Sequence, residues 1–543
     1  MTRRGKSRKA FLGLDDALRH PDHRRPMNRR EFISQGFRAG CATLLGTSAY
    51  SLMGTRAQAI SPNLLDSAFT NYSACDLGTV AGRKIPFICF DLAGGANIAG
   101  SNVIVGGPGG QRDALSTEGY SRLGLPGDIL PFGANAQSPT GDFTNDSLGL
   151  LFHSDSAMLR GILEKASATS GFVNGAVIPG RSENDTGNNP HNPMYGIYRA
   201  GLRGQILQLI GSENSDSGGN SMAPAMMIDP EVRPTKVDRP SDASGLVDVG
   251  DLNLLLDDPE DIVSVMESMK RISDFKLDLV NTGIANPSTE DQRLKERLSC
   301  EYLRSADTLE KFSEPDALDP TSDPAIAGPG GIFTAEELAG DREFQKAASV
   351  MKLVVDGIAG AGTIEMGGYD YHTGDRRTGE ERDLRAGRCI GACLDYARRT
   401  ATPLMVYVFS DGSVVSDGTI EMVNGVGKGV WSGDNSSTAA SFFLVYDPAG
   451  APALLDIAGD TARHQQLGWM RADASVDTSS SPAANNVNLN VEMVILNYLA
   501  LHGQQNLFAE PGFFPGHGLG AASNRDRYTA FAPLASINGG VLV

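Results

Sequence analysis

A chain of 543 residues with 41% hydrophobic and 21% charged side chains has a globular balance, and its 64 glycines argue against a helical bundle. Its 47 basic and 65 acidic residues give a formal charge of −18 that is unevenly spread. Residues 1–59 hold 12 Lys/Arg and 4 Asp/Glu, so the remainder carries 35 against 61. That remainder has a formal charge of −26, which excludes nucleic acid and anionic lipid as natural partners.

The first element in chain order is a leader. Met27-Asn28-Arg29-Arg30-Glu31-Phe32-Ile33 sets Arg29 and Arg30 ahead of a polar residue and then Phe32 and Ile33. A weakly apolar stretch from Phe37 to Met53 follows, and Ala57-Gln58-Ala59 closes it as a small-x-small cleavage pattern. This order resembles a twin-arginine signal. The resemblance implies the twin-arginine translocase as a partner during export and a periplasmic or extracellular protein afterwards, beginning at residue 60. Arg38 interrupts the short apolar stretch, which therefore suits a cleaved signal better than a membrane anchor or a lipoprotein at Cys41. Translation could start at Met1 or at Met27. No later stretch reaches ~18 uninterrupted apolar residues, so no stable membrane insertion is expected after cleavage.

Buried strands are predicted at Ile85–Asp91, Gln205–Ile210, Pro403–Ser410 and Ser441–Tyr446, from runs of β-branched and aromatic residues. Helical periodicity covers Asp155–Ala166, Asp261–Val280, Glu290–Phe312, Ala335–Val355, Glu380–Arg399 and Val487–His502. Strands alternating with helices predict an α/β fold with a mainly parallel sheet covered on both faces. The helices of about 255–355 read as a helical insertion in a domain spanning 60–543. Gly211–Gly245 and Glu314–Gly331, rich in Gly, Pro, Ser and Asp, read as surface loops. Removal of the leader takes Cys41 and leaves Cys75, Cys89, Cys300, Cys389 and Cys393, an odd number. Cys389 and Cys393, four apart on a helix, read as buried thiols.

Ligands gather at strand ends in open parallel sheets. Asp91 ends the first strand and Asp411 follows Pro403–Ser410. Asp370 and His372 follow the apolar Thr363–Met366, and Asp434 precedes the last strand. Carboxylates and an imidazole at one sheet edge would hold a divalent metal (zinc, calcium, magnesium or manganese). Aspartates near glycines also cap helices and shape turns, and both readings stand on spacing alone. His191 is the most plausible additional ligand, or a solvated loop histidine. Ser101 and Ser116 follow the first strand without a distinctive setting, so the catalytic nucleophile is unassigned. Gly106-Gly107-Pro108-Gly109-Gly110 lacks the Lys-Ser/Thr of a P-loop and reads as a flexible loop.

The leader, Phe90-Asp91-Leu92-Ala93-Gly94-Gly95, Gly367-Gly368-Tyr369-Asp370-Tyr371-His372 and Phe409-Ser410-Asp411-Gly412 together resemble an uncharacterised family of twin-arginine-exported bacterial proteins. That family is a domain of unknown function related to the alkaline phosphatase and sulfatase superfamily. The resemblance runs over roughly residues 80–510 and implies an alkaline phosphatase-like sheet and a metal-dependent hydrolase of phosphate or sulfate esters. Asp91, Asp370, His372, Asp411 and Asp434 would then be the metal ligands. The chain departs from the family where Asp434-Asn435-Ser436 stands in place of Asp-His-Gly. The alternative is a non-catalytic envelope protein for binding or assembly that kept the fold and lost the site.

Overall fold

The computed structural model describes residues 83–180, 190–246, 315–455 and 464–542, Asn485 excepted, with 268, 271–273 and 275–276. The leader, Cys41, Cys75 and Cys300 lie outside these residues, as do most of the predicted helices Asp261–Val280 and Glu290–Phe312.

Seven strands form the central sheet: β1 (Phe87–Leu92), β2 (Val173–Pro179), β3 (Leu207–Gly211), β4 (Thr235–Lys236), β5 (Ala359–Met366), β6 (Leu404–Phe409) and β7 (Ala440–Tyr446). Their order is β2-β7-β6-β1-β5-β3-β4. β1 runs parallel to β5 and β6, and β3 runs parallel to β5 and β4. β7 alone is reversed, antiparallel to both β6 and β2. The α/β fold read from the sequence is therefore the observed one.

Every residue of β1, β5, β6 and β7 is buried, as expected of strands covered on both faces. Alternation then sorts the side chains. Ile88, Phe90, Val406, Val408, Phe442 and Leu444 pack with helices α1 (Ala157–Ala166), α4 (Arg342–Val355) and α5 (Arg377–Arg399). Phe87, Cys89, Met405, Tyr407, Phe443 and Val445 pack with α2 (Met194–Arg199) and α6 (Val487–Leu501) on the other face. A short α3 (Ala335–Gly340) precedes α4 and starts on a capping box between Thr334 and Glu337.

β2 escapes a reading by composition because Gly175 interrupts it. Packing requires that glycine: a Cβ there would come within 2.7 Å of the Phe443 carbonyl and Leu444 of β7. The first half of β5 is hidden likewise, since Gly362 lets Val350 and Val354 of α4 press on the sheet. Two expectations change. Ala335–Val355 is broken at Asp341, which caps α4, and α4 packs on the sheet as one of its covering helices and not as part of an inserted layer. The stretch 211–245 is not all surface loop: it contains β4, a helix at Pro240–Ser244 and a buried turn around Ser217–Ser221.

α6 is apolar all round because it is enclosed, with the sheet on one side and Phe508, Phe514, Phe531 and Leu534 on the other. Its two buried asparagines are satisfied. Asn490 donates to the Tyr407 hydroxyl at 2.8 Å, and Asn497 donates to the Tyr528 carbonyl at 2.8 Å and accepts from the Ala530 N–H at 2.7 Å. Among the described residues no helix is long and apolar enough to cross a membrane. Cys89, Cys389 and Cys393 are buried free thiols.

Helices α1 and α5 meet at backbone distance. A Cβ on Gly387 would run into the Met158 carbonyl, one on Gly161 into the Leu384 carbonyl, and one on Gly391 into the Ile162 carbonyl at 2.5 Å. Alanine at 387 would gain about 1 kcal/mol of helix propensity, and the forced separation of two packed helices outweighs it. We expect Gly387→Ala to lose about 1–3 kcal/mol net, measured as a lower urea midpoint with unchanged m-value.

Candidate metal centre

Adjacency of β6, β1 and β5 brings the connections that follow these three strands to one edge. The connection after β1 is stitched to both neighbours. Gly94 N–H donates to Asp411 Oδ1 at 2.7 Å, and Ser410 Oγ donates to the Leu92 carbonyl at 2.6 Å. Ala96 N–H donates to Ser410 Oγ at 2.9 Å. On the other side Ala93 N–H reaches the Met366 carbonyl at 3.1 Å, and Tyr369 N–H reaches the Ala93 carbonyl at 3.0 Å. Gly94, at φ +128°, cannot carry a side chain, because its Cβ would strike the Asp370 backbone nitrogen. The buried Tyr371 hydroxyl accepts from Asn97 N–H at 2.7 Å and donates to Asp383 at 3.3 Å. Asp370 and His372, on either side of Tyr371, are thereby turned to the opposite, open side.

Asp434 arrives from another direction. The pair Val414–Val415 and Gly433–Asp434 forms an antiparallel ribbon with Asp434 opposite Val414. The intervening hairpin, Ile420–Val423 with Val426–Gly429, is fastened by buried charge. Lys428 Nζ lies 2.8 Å from Asp155 and 3.0 Å from Glu380, while Arg376 lies 3.0 Å from Glu380 and over the Trp431 ring at 4.4 Å. Burial pushes the Glu380 carboxyl up, and Arg376 and Lys428 together more than offset it, so the group is held below its usual range. Gly374 N–H donates to the Trp431 carbonyl at 2.9 Å, setting the His372 loop beside the chain that leads to Asp434.

Asp370, His372 and Asp434 consequently converge, each offering one ligand atom within 4.8 Å of the others. Asp370 Oδ1 lies 2.5 Å and Asp434 Oδ1 lies 2.8 Å from the same atom, His372 Nδ1. An imidazole nitrogen has one proton or one lone pair, and neither contact has hydrogen-bond geometry. Three ligand atoms this close together could hold a cation. The side chains are 56%, 35% and 48% exposed, respectively, so solvent can reach them.

The structure holds the other two predicted ligands apart from this cluster. Asp91 is buried, with Ser221 N–H on Oδ2 at 2.7 Å and Ser221 Oγ on Oδ1 at 3.2 Å. The turn over it depends on Gly219, whose Cβ would come within 2.7 Å of Asp91 Oδ2. Burial, then Asp411, then Glu365 beside it on β5 push the Asp91 carboxyl up to about 7, against Ser221. Asp411 is buried too and accepts from Asn220 Nδ2 at 3.1 Å as well as from Gly94. His191 is not a solvated loop residue. It is buried and stacked on Phe409 at 5.8 Å, and burial pushes its pKa down to about 3, so it is a neutral core group. Ser101 donates to Asn97 Oδ1 and Ser116 caps a helix.

Comparison with protein-family models, with curated proteins and with solved structures found no match.

Asp91 makes the stability of the fold pH-sensitive. Its ordinary value is 3.8 and its folded value about 7. Between the two the folded chain keeps a proton that the unfolded chain releases. Stability therefore falls as pH rises through that window, by up to about 4 kcal/mol, and is level above it. In EDTA, the advantage in urea midpoint of Asp91→Asn over wild type should grow from about pH 5 to about pH 7 and then flatten.

Proposed function

We propose that the chain is an exported, metal-dependent hydrolase of phosphate or sulfate esters. The observation that supports this reading most is the convergence of Asp370, His372 and Asp434 at the exposed edge of the sheet. Two carboxylates and one imidazole suit zinc or manganese better than calcium, which prefers oxygen alone. A divalent cation bound there would supply Lewis acidity and bring the pKa of water towards neutrality.

The residues around the cluster do the remaining work. Tyr371 and Gly94 fix the backbone of Asp370 and His372, and the Lys428–Glu380–Arg376 cluster fixes Asp434. Arg382 crosses beneath Gly367 and Gly368, donating to the Gly367 carbonyl at 3.1 Å. Its guanidinium, beside the glycine pair that leads into Tyr369-Asp370, would supply a cation for an anionic ester. With Ser101 and Ser116 committed elsewhere, water is the nucleophile in this reading. The resemblance of Met27–Ala59 to a twin-arginine signal supports export after folding.

A second reading, a non-catalytic envelope protein for binding or assembly, is favoured by one observation. Asp91 and Asp411, which a two-metal site would employ, are buried and taken up by Ser221, Asn220 and Gly94.

The mature chain, assayed with p-nitrophenyl phosphate and p-nitrophenyl sulfate in zinc, manganese, magnesium or calcium, should turn over at least one ester in at least one metal. His372→Ala should lower kcat/KM by about 100-fold or more with an unchanged urea midpoint. A folded wild type that hydrolyses neither ester in any of the metals would contradict the hydrolase reading and favour the second.

A further inference from the structure

The Gly106–Gly110 run is not a flexible loop. Gly107 N–H donates to the Asp113 carbonyl at 2.8 Å, Gly109 N–H to Asp113 Oδ2 at 2.9 Å and Gly110 N–H to the Gly107 carbonyl at 3.1 Å. The buried Gln466 clamps its base, accepting from Gly106 N–H at 2.8 Å and donating to the carbonyls of Gly106 and Gly107 at 3.1 Å each. A Cβ on Gly106 would strike the Gly110 carbonyl, and one on Gly107 would lie 2.6 Å from Asp113 Oδ2. The glycines are there because the loop folds back on itself. What it presents is a rigid shelf with the exposed Pro108 at its tip.

Pro108 and Trp469 form a wall common to two cavities, of about 270 Å³ and about 360 Å³. None of the described residues lining either cavity belongs to the candidate metal centre. Trp469 is half-buried, and its backbone is held by Ser480 Oγ, which accepts its N–H at 3.1 Å. Around the smaller cavity stand His464, Asp526, Arg527 and Tyr528. His464 Nδ1 donates to the Thr529 carbonyl at 2.7 Å, which orients the ring. Asp526 Oδ1 accepts from Gln505 Nε2 at 3.1 Å, which fixes the carboxylate and leaves Oδ2 available to a ligand. In the larger cavity Arg471 is held 3.1 Å from Asp477.

We propose that this groove is a carbohydrate-binding site in which pyranose rings stack on Trp469. Trp469 and Pro108 bring apolar rings to the wall, and the perimeter mixes acceptors with donors. A pyranose is the complement of that arrangement, with C–H groups on its faces and hydroxyls around its rim. The smaller cavity lies at the low end of ligand-pocket volumes, the size of one sugar unit, not of a drug-sized ligand. Two cavities meeting at one indole suit adjacent units of a single oligosaccharide. A nucleotide would also stack, but its phosphates would meet the field of a chain whose residues beyond 59 carry a formal charge of −26. The proposal is independent of the hydrolase reading.

The chain has two tryptophans, and Trp431 is fully buried, so changes in quenchable emission report on Trp469. The mature protein is titrated with cellotetraose, maltotetraose and chitotetraose, with glucose and adenosine as comparators, following acrylamide quenching and heat by calorimetry. At least one tetraose should protect Trp469 saturably and bind at least 10-fold more tightly than glucose. Trp469→Ala should abolish the heat, and Asp526→Asn should weaken binding about 10-fold, both with urea midpoints near wild type. Trp469→Phe, which keeps a stacking face, should retain part of the affinity and guards against misfolding of the alanine variant. Absence of saturable binding by all three tetraoses, binding unaltered in both Trp469 variants, or binding of adenosine as tight as that of the best tetraose would overturn the proposal.

Discussion

The Asp411 carboxylate is the tie on which the candidate centre depends. It receives Gly94 from the connection after β1 on one oxygen and Asn220 from the turn after β3 on the other. Through Gly94 it also fixes Asp370, because the two backbones touch where no side chain would fit. A buried carboxylate without such partners would cost several kcal/mol. With them it locks three connections that share only a sheet edge. Its visible role is to hold the backbone beside Asp370 in place.

Charge is used differently on the two sides of the centre. Beneath it, Asp91, Glu365 and Asp411 crowd together, and burial with mutual repulsion keeps Asp91 protonated towards neutral pH. Beside it, Lys428, Arg376, Glu380 and Asp155 neutralise one another in the core and anchor the hairpin that delivers Asp434. The exposed cluster itself sets two carboxylates beside one imidazole. That donor set could hold a divalent cation.

The sheet was legible wherever a strand is long, β-branched and free of glycine, as in Leu404–Phe409. It was hidden in Val173–Pro179 and in the first half of Ala359–Met366, where glycine serves close packing and mimics a breaker. The Asp370-x-His372 pair was legible because three residues of one turn carry it, and Asp434 because it precedes a strand. That these three meet, while Asp91 and Asp411 do not join them, was beyond spacing. It depends on Ser221 and Asn220, which come from a stretch whose composition resembles surface loop. Arg382 and Lys428 left no sequence signal at all, since each acts through contacts made far along the chain. The leader, with the localisation it implies, lies outside the described residues and stands as a reading of the sequence.

The most direct test is a crystal of the mature chain grown with zinc and measured at the zinc absorption edge. The account predicts an anomalous peak about 2.0–2.2 Å from His372 Nδ1 and from one oxygen each of Asp370 and Asp434. A zinc-soaked crystal with no peak there, or with the peak between Asp91 and Asp411, would contradict it.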